Sequence, residues 1–374
     1  MLEWIRTLPI CIPLSCMLIS IAGLCGLYRA DQLYGASRQF ERQLVWIGMA
    51  WPVMLLVTTV SYRRLKHLSP AFYAICVVLL VVVLFMPAIN GSRRWIPLGL
   101  FDFQPSEPAR LAFILALSYY LMYRDSQRTV AGLIVPFLMT MVPLLLVLRE
   151  PDLGTSMLFL PILFALLFAA GARTSHLLAA LTLGIAMLPV VWLQMSDEQK
   201  SRVVMVFQQQ DGGLAPAGDG FHLHQSKQVL ALGGLWGSIA DDEPVIDDPA
   251  AYVLPASRTD FILCLIGERY GLTGCVLLLF LYGIIVWKGL TIANRTREPF
   301  GRLVAVGVVT MLGTQALINA GMIVGLVPIT GLTLPMCSYG GSSLLSTYFA
   351  MGLLMNIGMR PGYEVTSGQT WETR

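Results

Sequence analysis

Long apolar runs separated by short polar connections dominate the chain. A helix that crosses the hydrocarbon core of a bilayer needs about 20 mostly apolar residues. Backbone groups in lipid must be satisfied within the segment, so such runs predict helices, and the alternating pattern of a membrane barrel is absent. The pattern therefore predicts an all-α polytopic membrane protein. Its ten predicted spans lie near residues 8–28, 43–62, 71–88, 107–123, 130–148, 153–170, 175–195, 260–287, 302–326 and 342–359.

One long polar stretch, from about 196 to 258, separates the seventh predicted span from the eighth. The rest of the chain is spans and short connections, so we predict a single membrane domain, 1–374, with one large loop. The loop holds the turn-rich piece "QQQDGGLAPAGDG" and the acidic run "ADDEPVIDDP". The acidic run is either a solvated loop or a site for a divalent cation, since carboxylate oxygens suit Mg²⁺ or Ca²⁺.

Basic residues are concentrated in two short loops, "SYRRLKHLSP" and "KGLTIANRTREPFGR". With ten spans, both loops fall on the side of the two termini. Short loops rich in Lys and Arg stay in the cytoplasm. The sequence therefore predicts cytoplasmic termini, and it places the long polar loop on the outer side of the membrane.

Composition supports this class and excludes others. The chain is 56% hydrophobic and 13% charged, whereas a soluble domain is about one quarter charged. The net charge is only +3, and the chain has no basic run long enough to follow a phosphate backbone, so a nucleic-acid partner is excluded. The seven cysteines lie in or beside apolar stretches, which favours packing over disulfides or metal ligands.

Ionisable groups at the edge of a span usually pair with each other, face a cavity or carry function. The first such cluster is "GSRRWIPLGLFDFQPSEPARL". Glu107 and Arg110 are three residues apart and share a helix face, so they can neutralise each other. The alternative is that Arg93, Arg94 and Arg110 contact an anionic substrate. Trp95 suits the membrane interface.

The second cluster, "REPDLGTS", lies between two spans. Pro151 can open the following helix, and Asp152 is favourable in its first turn. Asp152 is thus a capping residue or a functional carboxylate.

The third cluster, "PASRTDFILCLIGERYG", begins the eighth predicted span. Ser257 or Thr259 can cap this helix, which would place Asp260 in its first turn. The helix N-terminus favours the anion, while desolvation by Phe261 and Ile262 favours the neutral acid. A carboxylate balanced in this way is either a capping group or a general base.

The fourth cluster, "GLVPITGLTLPMCSYGGSSLL", brings prolines, glycines and hydroxyls, among them Ser338, between the last two spans. Irregular backbone at membrane depth occurs only where it is buried in protein or lines a cavity. The cluster therefore predicts a re-entrant segment beside a polar cavity, with a plain outer loop as the alternative.

In this order and spacing, the four clusters resemble the SEDS family of shape, elongation, division and sporulation proteins. The matching stretches are "GSRRWIPLG" with "FQPSEPARL", "EPDLGTS", "LPASRTDFILCLIGERYGLTG" and "INAGMIVGLVPITGLTLPMCSYGGSSLL", and the resemblance runs from about residue 40 to 359. It implies a ten-span peptidoglycan glycosyltransferase. Such enzymes polymerise lipid II, the lipid-linked disaccharide-pentapeptide, beside a class B penicillin-binding protein and other membrane proteins of the elongation or division machinery.

The resemblance also assigns roles to residues. The essential Asp of the family's T-D-F-I motif falls on Asp260, which would accept a proton from the acceptor sugar. Basic side chains would hold the donor's diphosphate, with possible help from a divalent cation, Mg²⁺ or Mn²⁺, whose ligands the sequence does not assign. The candidate substrate contacts are Arg93, Arg94, Trp95, Glu107, Arg110, Asp152, Glu268 and Ser338.

The chain departs from the family pattern at several positions. Arg110 stands where a lysine is usual, Pro108 enters the same motif, and Arg269 replaces an acid after Glu268. The short ends and "INAGM" favour the elongation branch of the family, while "EPDLGT" and "GLTLP" lean towards the division branch. Two other classes stay open: a lipid II flippase, whose charges would line a path near the midplane, and a non-catalytic scaffold for a penicillin-binding protein.

Overall fold

The computed structural model of the chain describes residues 9–88, 92–99, 101–209, 219–239 and 254–362. Within these ranges the chain is helical apart from turns, one 3₁₀ turn (Ser126–Arg128) and one small hairpin of β1 (Ile96–Pro97) with β2 (Asp102–Phe103). The helices are α1 (Cys11–Tyr34), α2 (Gln39–Thr59), α3 (Tyr62–Val83), α4 (Ser106–Leu121), α5 (Val130–Arg149), α6 (Leu153–Ala169), α7 (Thr174–Gln194), α8 (Asp197–Phe207), α9 (Asp219–Leu232), α10 (Ile262–Arg295), α11 (Pro299–Ile323) and α12 (Gly341–Met359).

The helices confirm the helical membrane class that the apolar pattern predicts. Each predicted span overlaps one helix, namely α1 to α7 and α10 to α12. Six of the described helices, α1, α2, α3, α5, α10 and α11, are long and apolar enough to cross a membrane, and α6 and most of α7 are shorter apolar helices. Many of their large apolar side chains are exposed on the outside of the bundle, as a lipid environment requires.

The long polar stretch is more structured than the sequence indicates. It contains α8, which opens with a capping box between Ser196 and Gln199, and α9, which packs on α10 and α11. The backbone N–H of Leu272 donates to Gly234 (2.9 Å) beside a break in α10 at Gly271, whose φ is 68°. Most of the turn-rich piece and the acidic run lie outside the described residues, and so does the cation site proposed for that run.

The two basic loops meet at one end of the bundle. Arg63 Nε lies 3.2 Å from Glu298 Oε2, and Lys66 Nζ lies 3.6 Å from Glu298 Oε1. The backbone N–H of Arg297 donates to the carbonyl of Pro361 at 2.9 Å. The two basic loops therefore lie on the same side of the bundle, next to the described C-terminal end of the chain.

The opposite end is filled by an irregular segment between α11 and α12, residues 324–340. Its side chains include several fully buried ones, such as Leu334 and Cys337. It lies directly against α1, because a Cβ added to Gly23 would be 2.2 Å from the carbonyl oxygen of Cys337. Part of this segment is thus irregular backbone buried within the protein, while the polar cavity predicted beside it stays a prediction.

Candidate active site

Arg94, just before β1, reaches the turn that joins α5 to α6. Its Nε donates to the carbonyl of Glu150 at 3.0 Å, its Nη2 donates to the carbonyl of Pro151, and its Nη1 lies 4.0 Å from Asp152 Oδ1. The β1–β2 hairpin fixes the chain just after Arg94, since Ile96 pairs with Phe103. Arg94 is therefore held by backbone acceptors beside a buried carboxylate.

Asp152 is the N-cap of α6. Its Oδ1 accepts the backbone N–H of Thr155 at 3.1 Å, and its Oδ2 accepts the Thr155 hydroxyl at 3.0 Å and the Gln104 amide at 3.3 Å. The predicted capping role is confirmed, although the helix begins one residue after Asp152 rather than including it. A carboxylate at a helix N-terminus is favoured by the helix dipole, and Asp152 holds its carboxylate in this position beside Arg94.

Asp260 lies in a turn that precedes α10. The carbonyl of Ala256 accepts the backbone N–H groups of Thr259 (3.1 Å), Asp260 (3.1 Å) and Phe261 (3.3 Å), and α10 begins only at Ile262. The predicted cap by Ser257 or Thr259, with Asp260 in the first helical turn, is therefore wrong. The turn takes up these donors before the helix starts, and no side chain caps α10.

The surroundings of Asp260 favour its neutral form more than water does. Burial raises the pKa of Asp260 from its ordinary value to about 6, and the negative charge of Asp152 acts in the same direction. A hydrogen bond from Thr259 and the positive charges of Arg94 and Arg202 oppose this rise in pKa. The fold thus brings Asp260, Asp152 and Arg94, which are far apart in sequence, into one electrostatic cluster. A carboxylate with a pKa close to 6 can accept a proton at neutral pH.

Glu150 is a second carboxyl in this cluster. Its side chain is fully buried, and within the part of the chain that the structure describes neither of its oxygens has a hydrogen-bond partner. Burial, helped by the charge of Asp152 and opposed by Arg94, raises the pKa of Glu150 to about 9. Glu150 is therefore protonated at neutral pH and does not offset the charge of Arg94, which acts on Asp152 and Asp260.

We expect Glu150→Gln to stabilise the protein increasingly as pH rises. The unfolded chain loses the Glu150 proton near pH 4.5, whereas the folded chain keeps it to about pH 9. The folded state thus binds more protons in this window, and the stability of the wild type falls as pH rises through it. Glutamine removes the titration, so its advantage in free energy of unfolding should grow to roughly 1–3 kcal/mol at alkaline pH, the size of a buried polar penalty.

Thermal unfolding of both proteins at several pH values measures this difference. Glu41→Gln, at a glutamate in the first turn of α2 near the chain surface, is the matched control and should not show the trend. A gap between Glu150→Gln and the wild type that is independent of pH would contradict the assignment of Glu150 as a protonated acid.

The structure places the remaining predicted arginines outside this cluster. Arg93 is exposed and donates to the carbonyl of Leu84 at 3.0 Å. Arg110 is buried at 2% exposure and forms an ion pair with Glu107, one helical turn away. The self-paired arrangement that the i, i+3 spacing predicts is therefore present, and the three arginines do not come together in one place.

Three further predicted contacts lie in different surroundings. Glu268 is fully buried and accepts hydrogen bonds from both Nε (2.7 Å) and Nη2 of Arg29 on α1. Ser338 accepts the N–H of Leu334 at 2.8 Å and donates to the carbonyl of Thr259, so it lies beneath the Asp260 turn. Trp95 is half-buried beside Arg94.

No group of three or more His, Cys, Asp or Glu side chains is placed to hold a metal ion in the described ranges. The described residues thus do not provide the ligand set for the Mg²⁺ or Mn²⁺ considered from sequence, and we derive no step through a cation. A cavity of about 580 Å³, lined by Tyr73, Tyr119, Tyr120 and Arg124, lies at the C-terminal end of α4 and contains no predicted site residue.

Sequence reasoning missed three contributors to the site. Arg202 on α8 acts electrostatically on Asp260, and Gln104 donates to Asp152. Asn319 on α11 donates to the backbone carbonyl of Asp260 at 2.8 Å. The matched motifs contain Gln104 and Asn319, so a signal was present for both. Arg202 lies in the long polar stretch, where no sequence motif indicated a functional residue.

Fold and site together define a polytopic α-helical membrane protein with a carboxylate–arginine cluster at one end of its bundle. The family model described as "Cell cycle protein", which covers FtsW, RodA and SpoVE, matches residues 7–361. The chain therefore belongs to the FtsW/RodA/SpoVE family, the SEDS family that its motifs indicate.

Curated relatives and solved structures agree with this membership. The chain is 33% identical over 338 residues to the peptidoglycan glycosyltransferase MrdB of Escherichia coli, covering 88% of this chain and 89% of the relative. It is 33% identical to the probable peptidoglycan glycosyltransferase FtsW of Geobacter sulfurreducens, covering 86% and 85%. A chain from "Structural coordination of polymerization and crosslinking by a peptidoglycan synthase complex" superposes with a TM-score of 0.77 at 30% identity, covering 92% of this chain and 96% of that one.

Proposed function

We infer that this chain is a peptidoglycan glycosyltransferase that polymerises lipid II into glycan strands. The observation that carries this function is the placement of Asp260. This half-buried carboxylate, with a pKa of about 6, lies within the electrostatic reach of Arg94 and Arg202. A base beside cations suits the transfer of a sugar from a diphosphate leaving group to a hydroxyl acceptor.

In the proposed reaction, the acceptor sugar's hydroxyl oxygen attacks the anomeric carbon of the donor. Asp260 takes the hydroxyl proton as the new carbon–oxygen bond forms. The bond between the anomeric carbon and the phosphate oxygen breaks, and its electron pair leaves with the lipid diphosphate. Arg94 and Arg202 stabilise the negative charge that develops there through charge-assisted contacts. The neutral Glu150 leaves Arg94 available for this role.

We further propose that α1–α7 and α10–α12 form ten spans, with the Asp260 end outside and the basic end in the cytoplasm. The meeting of the two basic loops around Glu298 supports this orientation, because basic short loops stay in the cytoplasm. The stretch 196–258 then lies outside. The site would stand at the outer face of the cytoplasmic membrane, where lipid-anchored donor and acceptor are both present.

Within the family, we propose a role in cell elongation and shape, as in RodA. The support is the "INAGM" stretch. A septal role in division, as in FtsW, is the alternative, and it is favoured by the "EPDLGT" and "GLTLP" stretches. Depletion of the protein distinguishes the two roles, since loss of an elongation enzyme rounds the cells and loss of a division enzyme makes filaments.

We also propose a class B penicillin-binding protein as partner. The described residues form a helical membrane domain and include no soluble domain for peptide cross-linking. A finished cell wall needs both glycan polymerisation and peptide cross-linking. The similarity to a chain of a peptidoglycan synthase complex supports this pairing.

Purification from native membranes in mild detergent tests both proposals in one experiment. We expect a penicillin-binding protein to co-purify and the preparation to convert lipid II into long glycan strands. Lipid II transport in vesicles without polymer formation would favour a flippase. Polymer formation only after addition of a separate glycosyltransferase would favour a scaffold, and either result would overturn the enzymatic assignment.

A further inference from the structure

Two amides on one face of α11 hold the backbone around Asp260. Gln315 and Asn319 are four residues apart and therefore neighbours on the helix surface. Gln315 Nε2 donates to the carbonyl of Thr333 at 2.9 Å. Asn319 Nδ2 donates to two carbonyls, those of Leu332 (2.6 Å) and Asp260 (2.8 Å). Asn319 thus joins α11, the irregular segment and the Asp260 turn at a single atom.

The Glu107–Arg110 pair is connected to these amides through a hydrogen bond to Gln315. Arg110 Nη1 donates to Gln315 Oε1 at 2.9 Å, while its Nη2 is paired with Glu107. All four side chains are at most 5% exposed. Because Arg110 binds two groups inside the bundle, its charge is directed to Glu107 and Gln315 rather than to a ligand. An arginine fork fixes the orientation of the amide that it contacts.

The other side of the Asp260 turn is fixed by backbone bonds and one ion pair. The N–H of Tyr339 donates to the carbonyl of Arg258 at 3.0 Å. Arg258 Nη2 donates to Asp31 Oδ1 at 2.9 Å and to the carbonyl of Gly35 at 2.7 Å. The turn is therefore held between α1 and the irregular segment. Asn319 on α11 adds a third contact, its hydrogen bond to the carbonyl of Asp260.

We propose that Asn319 and Gln315 are positioning residues for Asp260, and that the Glu107–Arg110 pair acts on the reaction through them rather than by binding the diphosphate. This inference rests on the proposed function of Asp260. Its physical basis is that a misplacement of roughly 1 Å in a catalytic group can reduce the rate about 10²-fold. Without the Asn319 amide, the carbonyls of Asp260 and Leu332 lose their shared donor, and the turn can shift relative to the substrate.

The proposal is tested on the full chain in its native complex with lipid II. We expect Asn319→Ala to lower kcat by roughly 10- to 100-fold, with KM and lipid II binding within about twofold of wild type. Gln315→Glu keeps the acceptor for Arg110 but loses the donor to Thr333, and we expect a smaller fall in kcat. Arg110→Lys should likewise lower kcat and leave KM unchanged, whereas loss of a diphosphate contact would raise KM.

Asn356 provides a matched control. Its Nδ2 also donates to two backbone carbonyls, those of Val57 (2.6 Å) and Val60, but at the basic end of the bundle. Asn356→Ala removes the same kind of buried contact and should lower thermal stability by a similar amount while kcat stays near wild type. Parallel losses of kcat in Asn319→Ala and Asn356→Ala would show a merely structural role and overturn the proposal.

The outcome separates this inference from the proposed function. If the wild type makes glycan and Asp260→Asn does not, the function stands. In that case, an Asn319→Ala protein whose kcat equals that of the wild type, whether or not its KM is raised, refutes the positioning role and leaves the proposed function in place. If Asn319→Ala does not fold, the kcat and KM of Gln315→Glu and Arg110→Lys decide the question. A wild type without polymerase activity refutes the function itself.

Discussion

Asp260→Asn is expected to reduce lipid II polymerisation by about 10²–10⁴-fold, the usual contribution of general base catalysis. Asparagine keeps the shape of the side chain but cannot accept a proton. The turn that carries Asp260 is held by backbone bonds to Ala256 and Asn319, which the substitution leaves intact. Folding and lipid II binding should therefore stay close to wild type, so the fall should appear in kcat.

The wild-type rate should also fall on the acidic side of pH 6. Burial raises the pKa of Asp260 to about 6, and only the ionised form can take the proton. The rate should thus decline about tenfold per pH unit below that value and level off above it. Asp260→Glu should retain little activity, because the extra methylene moves the oxygens by about 1 Å.

The control for Asp260→Asn is Glu298→Gln, which alters a buried carboxylate at the basic end of the bundle that pairs with Arg63 rather than with substrate. It should lose far less activity. Near wild-type polymerisation by Asp260→Asn would contradict the base assignment, and Asp152 would become the next carboxylate to test.

Glu268→Ala is expected to destabilise the protein by roughly 3–5 kcal/mol, the range measured when one partner of a buried ion pair is removed. Glu268 is fully buried, and its carboxylate binds Arg29 through two hydrogen bonds, one of them 2.7 Å long. After the substitution, the mostly buried guanidinium of Arg29 has lost its charged partner. The loss should appear as a lower midpoint of thermal unfolding in detergent.

A double variant separates the pair from a role in catalysis. Arg29→Met with Glu268→Leu replaces both charges by apolar groups of similar size, and it should recover most of the stability. If polymerisation per folded molecule is also recovered, Glu268 is structural. Activity that stays absent in the stable double variant would instead support the substrate contact predicted for Glu268 from sequence.

Local features of the site were predictable from the sequence. The ten apolar runs match helices because burial in lipid depends mainly on the length and polarity of a segment. The Asp152 cap and the Glu107–Arg110 pair involve residues within three positions of each other, so helix geometry alone predicts them. The motif assigns Asp260 as the catalytic base, which stays a prediction, and its predicted position in the first helical turn was wrong.

The composition of the site was decided by tertiary structure. Arg93 and Arg94 are adjacent and chemically identical, yet only Arg94 reaches the α5–α6 turn, because the β1–β2 hairpin sets its direction. Arg202 on α8 acts on Asp260 although the two residues are far apart in sequence, so tertiary packing brings them within electrostatic reach. The neutral state of Glu150 also depends on burial by other elements, which no neighbouring residue in the sequence indicates.

The sequence by itself determined that the protein is a helical membrane protein and which family it belongs to, and it singled out Asp260 as the carboxylate to test. Tertiary structure decided which charges surround that carboxylate and which charges pair elsewhere. Glu268 and Arg29 are 239 residues apart, and Arg110 and Gln315 are 205 apart. Their pairing follows from how whole helices pack. The physical reason is that span formation depends on residues within one helix, whereas the partner of a buried charge depends on which helix lies next to it.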